Sequence, residues 1–402
     1  MIGLAYCDRK GRIFFDEAYE PLADDGTIRK AQADELIEAP AGTVPMLLPG
    51  RRPRLLSRAT RRRYALAVAL PAGYTRLLLP SYVKEAQAPA LPLFGYTFAC
   101  VRDDRLHVAA MRTDEGEDWE PRFFAHGELE RIIAHRLARD PRNRVLRQLA
   151  LCARDYGCFT AQNVFLERGE AALPVSPTCN ARCVGCISEL SDERGVPAPQ
   201  VRIAFDWTPD ELARVAISHL EAQGDGIVSF GQGCEGEPLL RSVTIAHAIE
   251  RIRSRVTNGT VNLNTNGSRP SALRRCIEAG LQAVRISLNS FRPRVYEAYY
   301  RPRGYGLDDV FESVRVCVQA GVRVALNYLT HPGVTDDEAE VFAARQFLGE
   351  VRVDMVQTRT LNIDPEWYFE VTGRPQRPLG MRHALATLRE CAGALGNFTH
   401  TH

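Results

Sequence analysis

Short apolar runs alternate with helical patterns from about residue 170 onward, and this constrains the 402-residue chain more than any other feature. Strand-like runs fall at 172–176, 227–230, 260–264, 283–288, 322–327 and 353–358, and helical periodicity follows most of them. Such alternation calls for parallel strands joined by helical crossovers, since a parallel neighbour needs a long return path. Six units predict an α/β fold built as a partial (β/α)6 barrel of the TIM type, with a doubly wound open sheet as the alternative. The clearest helix start is Thr208, with Pro209 at the first helical position and Glu211 three residues past the cap. Thr and Glu can then satisfy each other's free backbone donors. Leu212, Val215, Ala216 and Leu220 share one face, and Gly224 can end the helix. Thr335 and Glu338 repeat the capping pair after the fifth run, while Gly280 and Gly321 each close a helix before a strand.

Residues 1–165 read differently. Runs such as Tyr64–Leu70, Thr75–Leu79 and Arg105–Met111 are broken by Pro, Gly and Asp without sharp alternation. They predict a smaller α+β domain of short strands, with helices near 127–139 and 143–155. The expected division is an N-terminal domain over 1–165, its role open, and a barrel over 166–402 with a short C-terminal helical extension.

A hydrophobic fraction of 45% and a charged fraction of 25% exclude global disorder, collagen and coiled coil. With 51 basic and 49 acidic residues, no whole-protein field draws the chain to nucleic acid or a membrane. The stretch Arg51–Arg63 holds seven arginines and no acid. It reads as a local phosphate or RNA surface, or as a solvated loop in a protein whose only lysines are Lys10, Lys30 and Lys84. The first twenty residues lack the pattern of a signal peptide, and no apolar run approaches the roughly 18–20 residues of a membrane helix. Eleven cysteines are too sparse and too odd in number for a disulfide scaffold. The expectation is a reducing cytoplasm, where cysteines point to metal or catalysis.

Cys179, Cys183 and Cys186 form C-x3-C-x2-C directly after the first strand of the regular half. Three thiolates this close can converge on one metal centre from a single loop. A structural zinc site would want a fourth ligand nearby, yet the next His is His219 and the next Cys is Cys234. Three cysteines suit an iron–sulfur cluster with one iron left open for a small ligand.

CNARCVGC resembles the cluster loop of the radical S-adenosylmethionine (radical SAM) superfamily, which follows the first strand of a partial barrel. FGQGCEGEPLLR at 230–241 resembles that family's glycine-rich second segment, G-G-E-P, with Gly236, Glu237 and Pro238 matching and Glu235 in the first Gly position. LNTNGS at 263–268, VRISLNSF at 284–291 and LNYLTHPGVTDDE at 326–338 resemble the third, fourth and fifth segments of the molybdopterin-biosynthesis branch. The resemblance covers about 172–360. It implies an enzyme that reductively cleaves S-adenosylmethionine (SAM) at a [4Fe-4S] cluster, giving a 5′-deoxyadenosyl radical that acts on an unidentified substrate.

By the same resemblance Cys179, Cys183 and Cys186 are the cluster ligands. Glu235, Gly236, Glu237, Asn264, Asn266, Ser287 and Asn289 are expected to bind the cofactor, the Asn and Ser residues from strand ends where barrel enzymes build their sites. Cys234, His331 and Arg359 are the catalytic candidates, Arg359 as a two-pronged donor to a carboxylate, and Tyr328 and Gln357 are candidate substrate contacts. Gly185 stands where many relatives carry an aromatic before the third cysteine, so adenine packing must come from elsewhere, with Ile187 or 327–331 as candidates. The segment FRPRVYEAYYRPRGYG at 291–306 lines a pocket or is an amphipathic helix with snorkelling arginines. None of the other seven cysteines falls into a C-x2-C pair, which argues against a second cluster. The implied partners are a small-molecule or peptide substrate, rather than nucleic acid, and an external one-electron reductant of the flavodoxin or ferredoxin type; no membrane is involved. Two alternatives stand beside this reading. One is an RNA-modifying radical SAM enzyme that docks through Arg51–Arg63 and uses Cys391 or Cys234 as a covalent handle. The other is a non-catalytic iron–sulfur electron carrier or sensor.

Overall fold

The computed structural model describes residues 2–56, 63–115, 127–190 and 194–398. In the N-terminal part an eight-stranded antiparallel sheet runs in the order Ile13–Asp16, Gly3–Cys7, Tyr64–Ala69, Thr97–Arg102, Arg105–Arg112, Leu36–Glu38, with Val44–Leu47 and Tyr74–Arg76 paired to its sides. Two small antiparallel ribbons accompany it. Helices α1 (Leu129–Arg139), α2 (Arg144–Asp155) and α3 (Phe159–Leu166) follow, close to the expected positions.

The second sheet has seven parallel strands in sequence order: Glu170–Leu173, Ile227–Phe230, Thr260–Thr265, Ala283–Leu288, Arg323–Leu329, Met355–Arg359 and Ala394–Gly396. The first and seventh do not pair with each other among the described residues, so the barrel is partial. The first six match the expected runs. The seventh corrects the expectation of six, since a three-residue Ala-Leu-Gly strand has no periodicity to read. Helices α4 (Pro209–Ala222), α5 (Ser242–Arg253), α6 (Pro270–Glu278), α7 (Pro293–Tyr300), α8 (Leu307–Gln319), α9 (Glu338–Glu350), α10 (Pro365–Thr372) and α11 (Met381–Cys391) connect the strands. Because α11 leads into the seventh strand, it belongs to the barrel instead of forming an extension.

Local signals explain most boundaries. Thr208 Oγ1 accepts from the Glu211 amide and Glu211 accepts from the Thr208 amide, closing the expected capping box on α4. At Gly280, φ of +110° lets the Leu281 amide reach the Cys276 carbonyl and the Gly280 amide reach that of Ile277. Gly321 does the same for α8 through the Val322–Cys317 and Gly321–Val318 bonds, satisfying carbonyls that a helix end leaves orphaned. The second capping pair does not form: Thr335 Oγ1 accepts from the His331 amide instead, and Asp337 precedes α9.

The N-terminal sheet docks on the carboxyl ends of the fifth to seventh barrel strands. Arg76 Nη2 donates to the Thr330 carbonyl at 2.9 Å, the Thr75 and Thr358 hydroxyls meet at 2.6 Å, and Arg51 pairs with Asp364 at 2.5 Å. The Asp114 carboxylate accepts from the Asn397 and Phe398 amides. On the other flank, Arg144 of α2 holds Glu211 of α4 at 2.7 Å. One apolar core runs continuously from Ala23 to Leu395 across both sheets. Among the described residues no helix is long and apolar enough to cross a membrane.

Candidate active site

Every pairing in the barrel is parallel and in register, so side chains at matched heights share a face. Strand Arg323–Leu329 shows the result: Val324, Leu326 and Tyr328 are buried against the outer layer, while Ala325 and Asn327 are half-exposed toward the lumen. Asn264 and Ser287 are half-exposed on that inner face as well, and Ser287, Asn327 and Gln357 are register partners. The lumen is therefore accessible and lined with amides and hydroxyls.

Its floor carries charge. Glu170 pairs with Arg285 at 2.5 Å and accepts from Ser229, which in turn accepts from Asn262. Burial works to raise the Glu170 carboxyl, but Arg285 and Ser229 outweigh it and hold it below the ordinary range. Arg359 donates to Asn327 Oδ1 at 2.6 Å, Gln357 Oε1 at 2.8 Å and the Asn397 carbonyl at 2.9 Å. Burial, with Arg285 near, lowers the Arg359 guanidinium to about 10, still charged at neutral pH. Two guanidiniums thus face one carboxylate. The Glu170–Arg285 pair escaped the sequence reading, although an arginine inside the apolar run VRISL was a visible signal.

The cysteine loop leaves the first barrel strand and is clamped from three sides. The Arg182 and Val184 amides donate to the Tyr300 and Tyr299 carbonyls, the free carbonyls at the end of α7. Asn180 bonds to Asn266 and Ser268 beyond the third strand. The Gly236 amide donates to the Ser176 carbonyl at 2.7 Å and the Glu237 amide to that of Thr178 at 2.8 Å. A Cβ at position 236 would sit 2.0 Å from the Thr178 oxygen, so only glycine permits this approach.

Cys179, Cys183 and Cys186 are free thiols, each half-buried. Burial pushes Cys179 up to about 11, and burial followed by the neighbouring thiols pushes Cys183 well above the ordinary thiol range. Each of these two therefore senses Cys186, yet among the described residues no three Cys, His, Asp or Glu side chains close on one point as a single ion demands. That donor set fits a multi-iron cluster, whose ligands sit on separate irons, better than the closed tetrahedron of structural zinc. Arg202 Nη2 lies 3.4 Å from Cys186 Sγ, a partner no sequence signal announced.

Several site expectations are corrected. The Glu235 carboxylate, expected at the cofactor, accepts from the Val175, Ser176 and Gln232 amides at 2.6–2.7 Å, and burial holds it up at about 8. Glu237 accepts from Thr265 Oγ1 and from the Leu239 and Asn266 amides, with burial holding it at about 7. Both carboxylates brace loops, each accepting three hydrogen bonds from the chain itself. The Cys234 thiol, expected near the chemistry, bonds to Cys152 on α2 and so faces the N-terminal helices, not the lumen. Tyr328 points outward and donates to Glu340 at 2.9 Å, which removes it from the substrate contacts. His331 is 1% exposed, packed on Tyr368 and Phe369, and held neutral by burial and by Arg76, so it cannot exchange protons with solvent as an acid or base.

The asparagines expected at the cofactor have internal partners. Asn264 is fixed by Asn262, Gly231 and Arg285 at the lumen edge, and Asn266 ties the third-strand loop to the cysteine loop. Asn289 is fully buried, its Nδ2 donating to Tyr368 Oη. At Gly185 a Cβ would meet Tyr299 Oη at 2.5 Å. Tyr299 of α7, from the tyrosine-rich segment, therefore fills the space beside Gly185. Tyr296, Tyr299 and Tyr300 are all buried there.

Among the described residues of the arginine stretch, two arginines are engaged internally and Arg52 is exposed. Arg51 is fully buried on Asp364, and Arg63 pairs with Asp16 between the rings of Tyr6 and Tyr19. Arg58, Arg61 and Arg62 lie outside the described residues.

Residues 173–345 match the radical SAM superfamily. GTP 3',8-cyclase of Peptoclostridium acidaminophilum is 31% identical over 188 residues, covering 46% of this chain and 54% of that protein. GTP 3',8-cyclase of Streptomyces coelicolor is 28% identical over 197 residues, covering 48% and 53%. Molybdenum cofactor biosynthesis protein 1 of Mus musculus is 28% identical over 200 residues, covering 48% and 28%. The chain spans about half the length of the bacterial relatives and less than a third of the mouse one.

Proposed function

The chain carries a radical SAM domain over residues 173–345, and from that premise we propose that it is an enzyme that reductively cleaves SAM at a [4Fe-4S] cluster held by Cys179, Cys183 and Cys186. When bound, the cluster supplies the electron that splits the sulfonium into methionine and a 5′-deoxyadenosyl radical, which acts on a small-molecule or peptide substrate. The chain's own contribution is positioning. The observation that carries this reading is the clasp between Gly236–Glu237 and Ser176–Thr178, which makes the cysteine loop and the second-strand loop one unit. Arg202 Nη2 holds Cys186 Sγ at 3.4 Å. The half-exposed Asn264, Ser287 and Asn327 offer partners to ribose hydroxyls. Arg359, with no carboxylate of its own among its hydrogen bonds, suits a ligand carboxylate. Free cysteines in odd number fit a reducing cytoplasm and an external one-electron donor of the flavodoxin or ferredoxin type.

The test is anaerobic reconstitution with iron and sulfide, then dithionite and SAM. Wild type should release 5′-deoxyadenosine, and a Cys179→Ala, Cys183→Ala, Cys186→Ala variant should fall to the buffer background. Equal release by both would sink the reading. Perturbation of the reduced cluster's spectrum on adding SAM separates the enzyme from a carrier or sensor, which has no use for a polar lumen.

A further inference from the structure

Where the N-terminal sheet meets the end of the fifth barrel strand, and just past the fourth strand beside it, four buried polar atoms are left without hydrogen bonds: Arg76 Nε, both ring nitrogens of His331, and Asn289 Oδ1. They belong to one wall. Arg76 Nη2 donates to the carbonyl of Thr330, the residue before His331, and its Nη1 to that of Gly95. The His331 ring lies 4.3 Å from that of Tyr368, whose hydroxyl meets Asn289 Nδ2 at 3.3 Å. The Pro332 carbonyl is near the imidazole without reaching hydrogen-bond geometry. All three residues are at most 1% exposed, and Arg76 makes no ion pair among the described residues. Elsewhere in this seam a buried guanidinium is answered by a carboxylate, as Arg51 is by Asp364.

A buried guanidinium answered only by two carbonyls is costly, and so is a buried imidazole with both nitrogens idle. Arg76 stays charged at neutral pH even though burial lowers it to about 9. The geometry points to a binding site for an oxyanion, carboxylate or phosphate, on the enzyme's substrate, with Arg76 and His331 donating to the anion and Asn289 Oδ1 accepting from a neighbouring hydroxyl or amine. The N-terminal sheet is then the part that reads the substrate, and Arg76 is a specificity-determining residue. That the ligand is a substrate rests on the radical SAM reading above; that the site takes an oxyanion does not.

The probes are sodium phosphate and sodium acetate, compared with sodium chloride at equal ionic strength in thermal unfolding of the reconstituted protein. At tenfold over Kd, at least one of the two should raise the wild-type Tm by about 2 °C. Arg76→Gln and His331→Phe should abolish the rise, whereas Arg352→Gln, at an exposed position, should keep it. His331→Phe preserves the ring packing and carries the test should Arg76→Gln fail to fold. No rise in wild type, or a rise kept by a folded Arg76→Gln or His331→Phe protein, overturns the site. Saturating SAM should leave the anion response intact; its loss would assign the anion seat to SAM and overturn the substrate assignment. 5′-Deoxyadenosine release is scored separately on the same samples, so an anion response without cleavage would sink the enzymatic reading alone.

Discussion

Barrel strands pair in the order in which they occur in the chain and always in parallel, whereas the N-terminal strands pair antiparallel and mix chain neighbours with distant partners. In the barrel this sets one inward side chain per strand at matched heights, and the loops beyond are braced by their own backbone through Glu235, Glu237 and Gly236. The N-terminal part touches the site differently. It reaches in along a seam where arginines are buried against carbonyls and one carboxylate. The barrel thus holds the chemistry by local construction, and the N-terminal sheet acts on it only through long-range contacts.

That contrast can be broken most forcefully at the seam. Asp364→Ala leaves Arg51 buried without its counter-charge and removes the acceptor for the Leu91 amide. Urea denaturation should show a loss of about 3–5 kcal/mol, with much of it recovered in an Arg51→Met, Asp364→Leu double variant. A loss near zero would mean that the seam does not hold the halves together. Inside the barrel, Gly236→Ala forces a Cβ to within 2.0 Å of the Thr178 oxygen. It should cost about 1–3 kcal/mol and lower iron content per chain after reconstitution. Gly349→Ala, in helix α9 with nothing within 4 Å, should be neutral or stabilising by about 0.4–1 kcal/mol. Equal iron loading of wild type and Gly236→Ala would show that the clasp does not shape the loop.

A smaller effect than at the seam lies on the α2–α4 flank. The Arg144 hydrogen bonds outweigh burial and hold Glu211 at about 2 against an ordinary 4.5. The stabilisation is complete above pH 4.5 and is lost as pH falls toward 2. With Arg144 44% exposed, solvent screening limits it to about 1–2 kcal/mol. Stability curves measured at pH 5 and pH 3 should converge for Glu211→Gln and diverge for wild type.

What was legible in the sequence follows the same division. Thr208, Pro209 and Glu211 announce α4 because a capping box is local, and Gly280 and Gly321 announce helix ends because only positive φ fits there. The cysteine loop was legible from spacing. Thr335 misled because its hydroxyl serves the turn after the fifth strand, a choice made by tertiary contacts. Cys234 misled because proximity in sequence to Gly236 says nothing of direction, and its thiol turns to Cys152, more than 80 residues earlier in the chain. Tyr299 reaches Gly185 from α7, and Arg76 reaches Thr330 from the other sheet. Pairings of that length leave no trace in local pattern, so the bracing of the site and its N-terminal wall stayed invisible.

The Arg51–Asp364 contact has a consequence for synthesis. Its partners are separated by 313 residues, which a ribosome adding 5–20 residues per second takes roughly 15–60 s to traverse. Through most of that interval the N-terminal sheet, once Arg105–Arg112 is made, must hold Arg51 and Arg76 without the barrel carbonyl and carboxylate they meet in the folded chain. The nascent chain therefore waits with this polar surface open until the Asp364 segment arrives to close it.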